Sequence, residues 1–309
     1  MDYIAKANIG LNTFAPGGTL LAEQAESFVD IMIDESKLLG LVTTKMMERP
    51  QFQQPRVGFT DQVLFPDEEM TETPEADRAS PTTDKRELST VRFKALARIS
   101  YDTLEEVLTQ ERLPDELLPL LAKAAWRDVE KVIISGNTSL PATTKENRLL
   151  RKLDGVIAQA SNIYDAGGQD LNANVLDEMD IAMPSRFAND RMAIFTARKA
   201  ALRYRKSKAA RPTPAGDEQL IKAAIDDHHG SPIVDIPLWP DNLGAQSNQT
   251  TALRTDPKNI WVGFQKKMDV RTKDEPDAGY VLFVMRFRFD VLLFEPNATI
   301  LATAVKARS

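Results

Sequence analysis

Residues 280–293 read Tyr280-Val281-Leu282-Phe283-Val284-Met285-Arg286-Phe287-Arg288-Phe289-Asp290-Val291-Leu292-Leu293. Val281, Phe283, Met285, Phe287, Phe289, Val291 and Leu293 recur at every second position, with Arg286, Arg288 and Asp290 between them. Side chains of an extended chain alternate between two faces, so this spacing predicts a long strand, apolar on one face and charged on the other. Just upstream, Asp274-Glu275-Pro276-Asp277-Ala278-Gly279 is a turn signal, and Trp261 to Arg271 is again strand-like. The pair reads as an antiparallel hairpin. Past the break at Pro296, Ile300 and Leu301 are expected to continue sheet.

Toward the N-terminus, residues 156–254 hold short mixed elements. Helices are predicted near Val175 to Met183, Arg198 to Lys206, and Glu218 to Ile225 behind an Asp217 cap; strands are predicted at Met192 to Phe195 and Ile233 to Ile236. Before them runs the longest predicted helix. Pro114 suits its first turn, Leu117, Leu121, Ala124, Ala125, Val129 and Val132 form its stripe, and Gly136 follows its end at Ser135. It spans about 30 Å at 1.5 Å per residue. Asp102 with Glu105 is a capping box for a short helix through Leu104, Val107 and Leu108.

Two further runs have strand period: Val57, Phe59, Val63 and Phe65, then Val91, Phe93, Ala95, Ala97 and Ile99 alternating with Arg92, Lys94 and Arg98. Residues 66–84 between them hold three prolines and seven acids, among them Glu68 and Glu69, against Arg78 alone. A connection of this length exceeds an ordinary hairpin turn and is expected to project from the body with few contacts to its own subunit. Near the N-terminus, Ala25, Phe28, Val29, Met32, Ile33, Ser36 and Leu39 share a helical face ended by Gly40. That face needs a surface, its own subunit's or a neighbour's. A borrowed surface is the expectation, so that residues 1–40 are not needed for folding.

The composition, 42% hydrophobic and 27% charged, is that of a folded protein. A net charge of −6 argues against electrostatic capture of nucleic acid by the chain as a whole. The absence of cysteine excludes disulfides and thiolate metal sites. No run approaches the roughly 20 apolar residues needed to cross a bilayer, and the start, with Asp2 and no apolar run, does not read as a signal peptide. No phosphate loop, nucleophile elbow or dinucleotide fingerprint occurs. Asp226-Asp227-His228-His229 holds the chain's two histidines, but no third ligand group lies nearby in sequence, and it reads as a solvated loop. Between 196 and 211 stand seven cations and no acid, including Arg198, Arg203 and Arg205. Only Tyr204 is there as a stacking platform, so a solvated helix face is favoured over a nucleic-acid site.

Several stretches carry a family resemblance. Arg98-Ile99-Ser100-Tyr101-Asp102-Thr103-Leu104-Glu105-Glu106, Ile134-Ser135-Gly136-Asn137-Thr138 with Leu153-Asp154-Gly155-Val156, Pro257-Lys258-Asn259-Ile260-Trp261-Val262-Gly263, and Arg286-Phe287-Arg288-Phe289-Asp290-Val291 with Asn297-Ala298 occur in order. The set resembles the major capsid proteins of tailed bacteriophages, whose Hong Kong 97 phage-type fold is shared with herpesvirus shells and encapsulins. The resemblance implies an α+β fold in four parts: an N-terminal arm (1–50), a projecting E-loop (51–99), a peripheral domain with a spine helix (100–155 and 256–309) and an axial domain (156–255). It implies a structural protein, without catalytic residues, cofactor or metal, that assembles with itself as hexamers and pentamers into an icosahedral virion shell in the host cytoplasm. The partners expected are packaged double-stranded DNA without sequence specificity, a portal, possible decoration proteins and a scaffold. The scaffold is separate or already cleaved, since many relatives carry a helical scaffolding segment not seen here. No membrane partner is expected. Glu68, Glu69, Arg92, Lys94, Arg98, Arg198, Arg203 and Arg205 are the candidate inter-subunit contacts. Some relatives cross-link a lysine to an asparagine, and Lys85 or Lys94 with Asn297 would be the residues, though nothing local marks them. The rival readings are an encapsulin-type compartment shell and, from another class, a nucleic-acid-processing enzyme using the basic run.

Overall fold

The computed structural model describes residues 29–30, 36–59, 63–64, 80–101, 113–189, 191–209, 227–243, 248–266 and 269–307. The expected helices at 104–108 and 218–225, most of the N-terminal helix, and the acidic segment with Glu68 and Glu69 lie outside the described residues. In chain order the elements are β1 (Thr43–Met47), β2 (Gln51–Phe59), β3 (Pro81–Ser89), β4 (Val91–Ser100), α1 (Leu113–Ser135), α2 (Lys145–Leu150), α3 (Val156–Gln159), β5 (Asn162–Asp165), α4 (Ala173–Ala182), β6 (Ala193–Ala197), α5 (Arg198–Ala209), β7 (Asp227–His228), β8 (Ser231–Ile236), β9 (Gln249–Thr255), β10 (Ile260–Gln265), β11 (Asp269–Glu275), β12 (Tyr280–Leu293) and β13 (Thr299–Lys306).

β12 is the centre of a five-stranded sheet, and its burial alternates as the sequence predicts from Phe283 to Leu293. β4 lies antiparallel along one edge, from Tyr280↔Ser100 to Phe289↔Val91. The other edge is shared by β11 over 280–286 and β10 over 289–293, with β1 parallel to β10 beyond. The predicted single strand from Trp261 to Arg271 is therefore two. From Phe264 to Asp269 the chain takes five steps while its partner takes three, from Phe289 to Arg286. Two surplus residues preserve odd–even parity, so the period of two reads straight through the break.

The apolar face of this sheet packs on α1, where Ala125, Val129, Val132 and Ile133 are buried against Phe93, Phe287 and Phe289. Phe93 and Phe289 stack at 4.4 Å between centroids. Each fully buried side chain of this size contributes about 1.5–3 kcal/mol. Ala124, expected on the stripe, is exposed, because the helix turns Val129 and Ile133 rather than Ala124 toward the sheet. At the helix end two glycines let two backbones touch. A Cβ on Gly155 would lie 2.5 Å from the Ile133 carbonyl oxygen, and one on Gly136 2.5 Å from that of Leu153. The contact closes with Gly155 N–H donating to the Gly136 carbonyl at 2.9 Å, and Thr138 N–H to Asp154 Oδ1 at 2.7 Å.

The second sheet has the order β5-β13-β9-β6-β8-β7. Sheet does resume after Pro296, but in this second sheet, where β13 runs parallel to β5 and antiparallel to β9. Both faces are covered. Phe195, Leu253 and Leu301 face the core of the first sheet and α1, while Ile194, Ala252 and Ile300 face α4 and α5 with Leu176, Met179, Ala201 and Tyr204. The two sheets thus share one core.

β2 and β3 form a separate two-stranded ribbon, paired from Gln51↔Ser89 to Phe59↔Pro81. The expectation had strand-like runs at 57–65 and 91–99 on either side of a connection over 66–84. Instead residues 81–89 are a strand and the 91–100 strand joins the five-stranded sheet. Pro81-Thr82-Thr83-Asp84-Lys85-Arg86-Glu87-Leu88-Ser89 has no hydrophobic period because the ribbon has no core face over most of its length. Val57, on the predicted apolar face, is 66% exposed, and Val63 beyond it is also exposed.

The borrowed-surface expectation for residues 1–40 is corrected for those described. Val29, Leu38 and Leu39 are buried in the subunit's own core with Val42. Ser36 is buried too, and its hydroxyl donates to Glu130 Oε2 at 3.0 Å. Removing residues 1–40 would strip these groups from the core.

Candidate functional site

The charged face of the five-stranded sheet gathers cations from three strands. Arg92, Lys94 and Arg98 are exposed on β4, opposite Arg288, Arg286 and Leu282 of β12. β11 adds Arg271 and Lys273, across from Val284 and Leu282. Three acids share the face. Asp269 accepts from Arg271 and Arg286, each at 3.1 Å; burial opposes its charge, but those hydrogen bonds outweigh it and hold the carboxyl below its usual range. Glu275 pairs with Lys273. Asp290 is spent at the root of the ribbon. Amid the cations lies an apolar strip, Leu96 with Val284, and Leu96 is 54% exposed. A solvated strand would not need leucine there.

The ribbon is anchored on the same face. Leu88 is fully buried; its Cδ1 would lie 3.3 Å from a Cβ at Gly263, beside Met47. Ser89 N–H donates to Asp290 Oδ2 at 2.7 Å, and Val291 N–H to its other oxygen at 2.9 Å. Burial nonetheless raises the Asp290 carboxyl to about 6. Arg56 of β2 pairs with Glu295, and Lys45 sits over the Trp261 and Phe52 rings at 3.6 and 4.4 Å. From these anchors the strands run outward with both faces largely exposed.

The basic run forms α5 as far as Ala209, and several of its cations meet acids of their own subunit. Arg203 contacts Asp170 at 2.6 Å, Lys199 pairs with Asp241, Arg205 is 3.9 Å from Asp235, and Lys208 is 4.0 Å from Asp227. These acids come from other elements, so sequence spacing did not show them. Arg198 is exposed at the start of the helix. Arg92, Lys94 and Arg98 thus share one sheet face, while Arg198, Arg203 and Arg205 lie on α5, with Arg203 and Arg205 facing acids of their own subunit.

The histidine pair departs from the solvated loop expected. His228 is 7% exposed, and both histidines place Nε2 at 2.9 Å from Asp177 Oδ1 on α4. Asp177 is the third group that inspection of nearby sequence lacked, because it stands 51 residues before His228.

Comparison with known proteins fits this architecture. A family model described as the phage capsid family matches residues 17–304. The putative prophage capsid protein YqbE of Bacillus subtilis (strain 168) is 25% identical over 99% of this chain and 98% of its own length. The satellite phage P4 procapsid structure matches with a TM-score of 0.64 at 12% identity, over 91% of this chain and 90% of that one. The SrpI encapsulin of Synechococcus elongatus PCC 7942 matches with a TM-score of 0.59 at 11% identity, over 100% and 94%.

Proposed function

The chain belongs to the phage capsid family and is a shell-building capsid protein; from that premise we propose how its parts serve the shell. The ribbon is the E-loop, α1 the spine, the five-stranded sheet the peripheral domain, and the second sheet with α4 and α5 the axial domain. Axial domains meet in hexamers and pentamers, and each ribbon lies over a neighbouring subunit. Closure under symmetry ends growth.

The observation that supports this most is the pairing of two incomplete surfaces. A ribbon with exposed faces extends from one edge of the subunit, and an exposed Leu96 among Arg92, Lys94 and Arg98 lies uncovered on the sheet. Residues 60–80, between the ribbon strands, carry seven acids against Arg78, so a neighbour's loop has the charge to meet that face. Each exposed ion pair is worth only about 0.2–1 kcal/mol, but repetition over a shell multiplies it. We further propose double-stranded DNA as contents, host cytoplasm as the place of assembly, and a scaffold, a portal and possible decoration proteins as partners. The encapsulin likeness is one of fold, and the family match favours the phage reading. Electron microscopy of the purified chain tests this: closed shells or capsomer rings are expected, and a monodisperse monomer under all assembly conditions would overturn it.

A further inference from the structure

We propose that Asp177, His228 and His229 form a binding site for one divalent transition-metal ion of the Zn2+ type per subunit. The fold builds this cluster from two elements. His228 ends β7, and His229-Gly230 is the turn into β8, with φ of 49° and 78°. Two consecutive left-handed residues make a type I′ turn, in which histidine is tolerated better than most side chains. This turn sets the two imidazoles side by side, with ring centroids 4.3 Å apart. Asp177 arrives from α4, and one donor atom from each of the three residues lies within 4.8 Å of the others.

Two imidazole nitrogens and a carboxylate oxygen are a donor set for zinc and its neighbours. In a tetrahedral site with bonds of about 2.0–2.1 Å, donor atoms stand about 3.3 Å apart. The 2.9 Å separations here need to open by only a few tenths of an ångström. His229 and Asp177 are 68% and 46% exposed, which leaves an entry path and room for water as a further ligand.

The buried partner of His228 permits the tautomer that a metal ligand needs. Tyr204, fully buried, has its hydroxyl 3.2 Å from the Asp227 carbonyl and 3.3 Å from His228 Nδ1. The hydroxyl has one proton. Given to the carbonyl, it leaves the oxygen to accept from Nδ1–H, and the Nε2 lone pair then points at Asp177. Two lone pairs would face each other at 2.9 Å, and a cation between them removes the repulsion. Bound metal would fasten the β7–β8 hairpin, at the end of the second sheet, to the helix covering that sheet. This inference is independent of how subunits assemble.

The test uses the untagged full chain with Co2+ and Zn2+ as probes, and His229→Ala and Asp177→Asn as variants on exposed side chains. Wild type is expected to bind one Co2+ per subunit with visible d–d absorption, and each variant to bind at least ~10-fold more weakly. Excess Zn2+ should raise the wild-type melting temperature by about 2–4 °C over EDTA and leave the variants unmoved. Absence of saturable binding by wild type, or equal binding by all three proteins, would overturn the proposal and leave a hydrogen-bonded histidine–aspartate group.

Discussion

Glu130 lies on the inner side of α1 at 1% exposure. Burial raises its carboxyl to about 7, although the Ser36 hydroxyl donates to Oε2; among the described residues no hydrogen bond reaches Oε1. The unfolded chain ionises near 4.5. Between the two values the folded state holds the proton more tightly, so this group's contribution is full below about 4.5 and is lost as pH rises through about 7. Glu130→Gln is therefore expected to flatten the fall in stability between those limits and to gain about 3 kcal/mol at pH 8, at 1.36 kcal/mol per unit. Urea melts of the two proteins across that range measure it, and identical pH profiles would contradict the assignment. A second residue-scale prediction is steric. Gly155→Ala puts a methyl 2.5 Å from a backbone oxygen, and both sides of the contact are main chain, so neither yields cheaply. A loss of about 2–4 kcal/mol is expected, against about 1–2 kcal/mol for Gly167→Ala, which meets only the left-handed backbone penalty in open space.

At the scale of elements, legibility followed the core. β12 and the described turns of α1 showed themselves because one face of each is buried and the period survives in the residues. α5 and α4 were legible for the same reason. The ribbon strand β3 was not, since a strand exposed on both sides has no apolar period, and its pairing is written in backbone hydrogen bonds. β9 was missed because a strand buried on both faces, Thr250-Thr251-Ala252-Leu253-Arg254-Thr255, does not alternate. Of the candidate contacts, β4's cations were readable from alternation, whereas the acids paired with α5 come from distant sequence. The two groups accordingly differ in what they face: acids of their own subunit on α5, open surface on β4. Reversing Arg92, Lys94 and Arg98 together to glutamate should slow assembly at least ~10-fold at low salt, less at high salt, with circular dichroism unchanged. Light scattering against ionic strength reads this. Equal assembly across the series would show that shape and backbone pairing hold the neighbour instead.

For the whole molecule, the shared core binds both sheets into one subunit, while the ribbon and the cationic sheet face stay largely exposed. Deleting residues 1–40 separates folding from assembly in a way opposite to the expectation from sequence. Because Leu38 and Leu39 are core residues, the truncated subunit should lose about 2–5 kcal/mol or more per missing side chain and fail to fold stably. Calorimetry of the truncated protein measures the loss. The central claim is that the ribbon of one subunit covers the β4–β12 face of the next. A cryo-electron microscopy reconstruction of assembled particles tests it most directly. Continuous density is expected for residues 51–59 and 81–89 across a neighbour's Arg92, Lys94, Leu96 and Arg98. Particles whose ribbons fold back on their own subunit, with that face open to solvent, would contradict it.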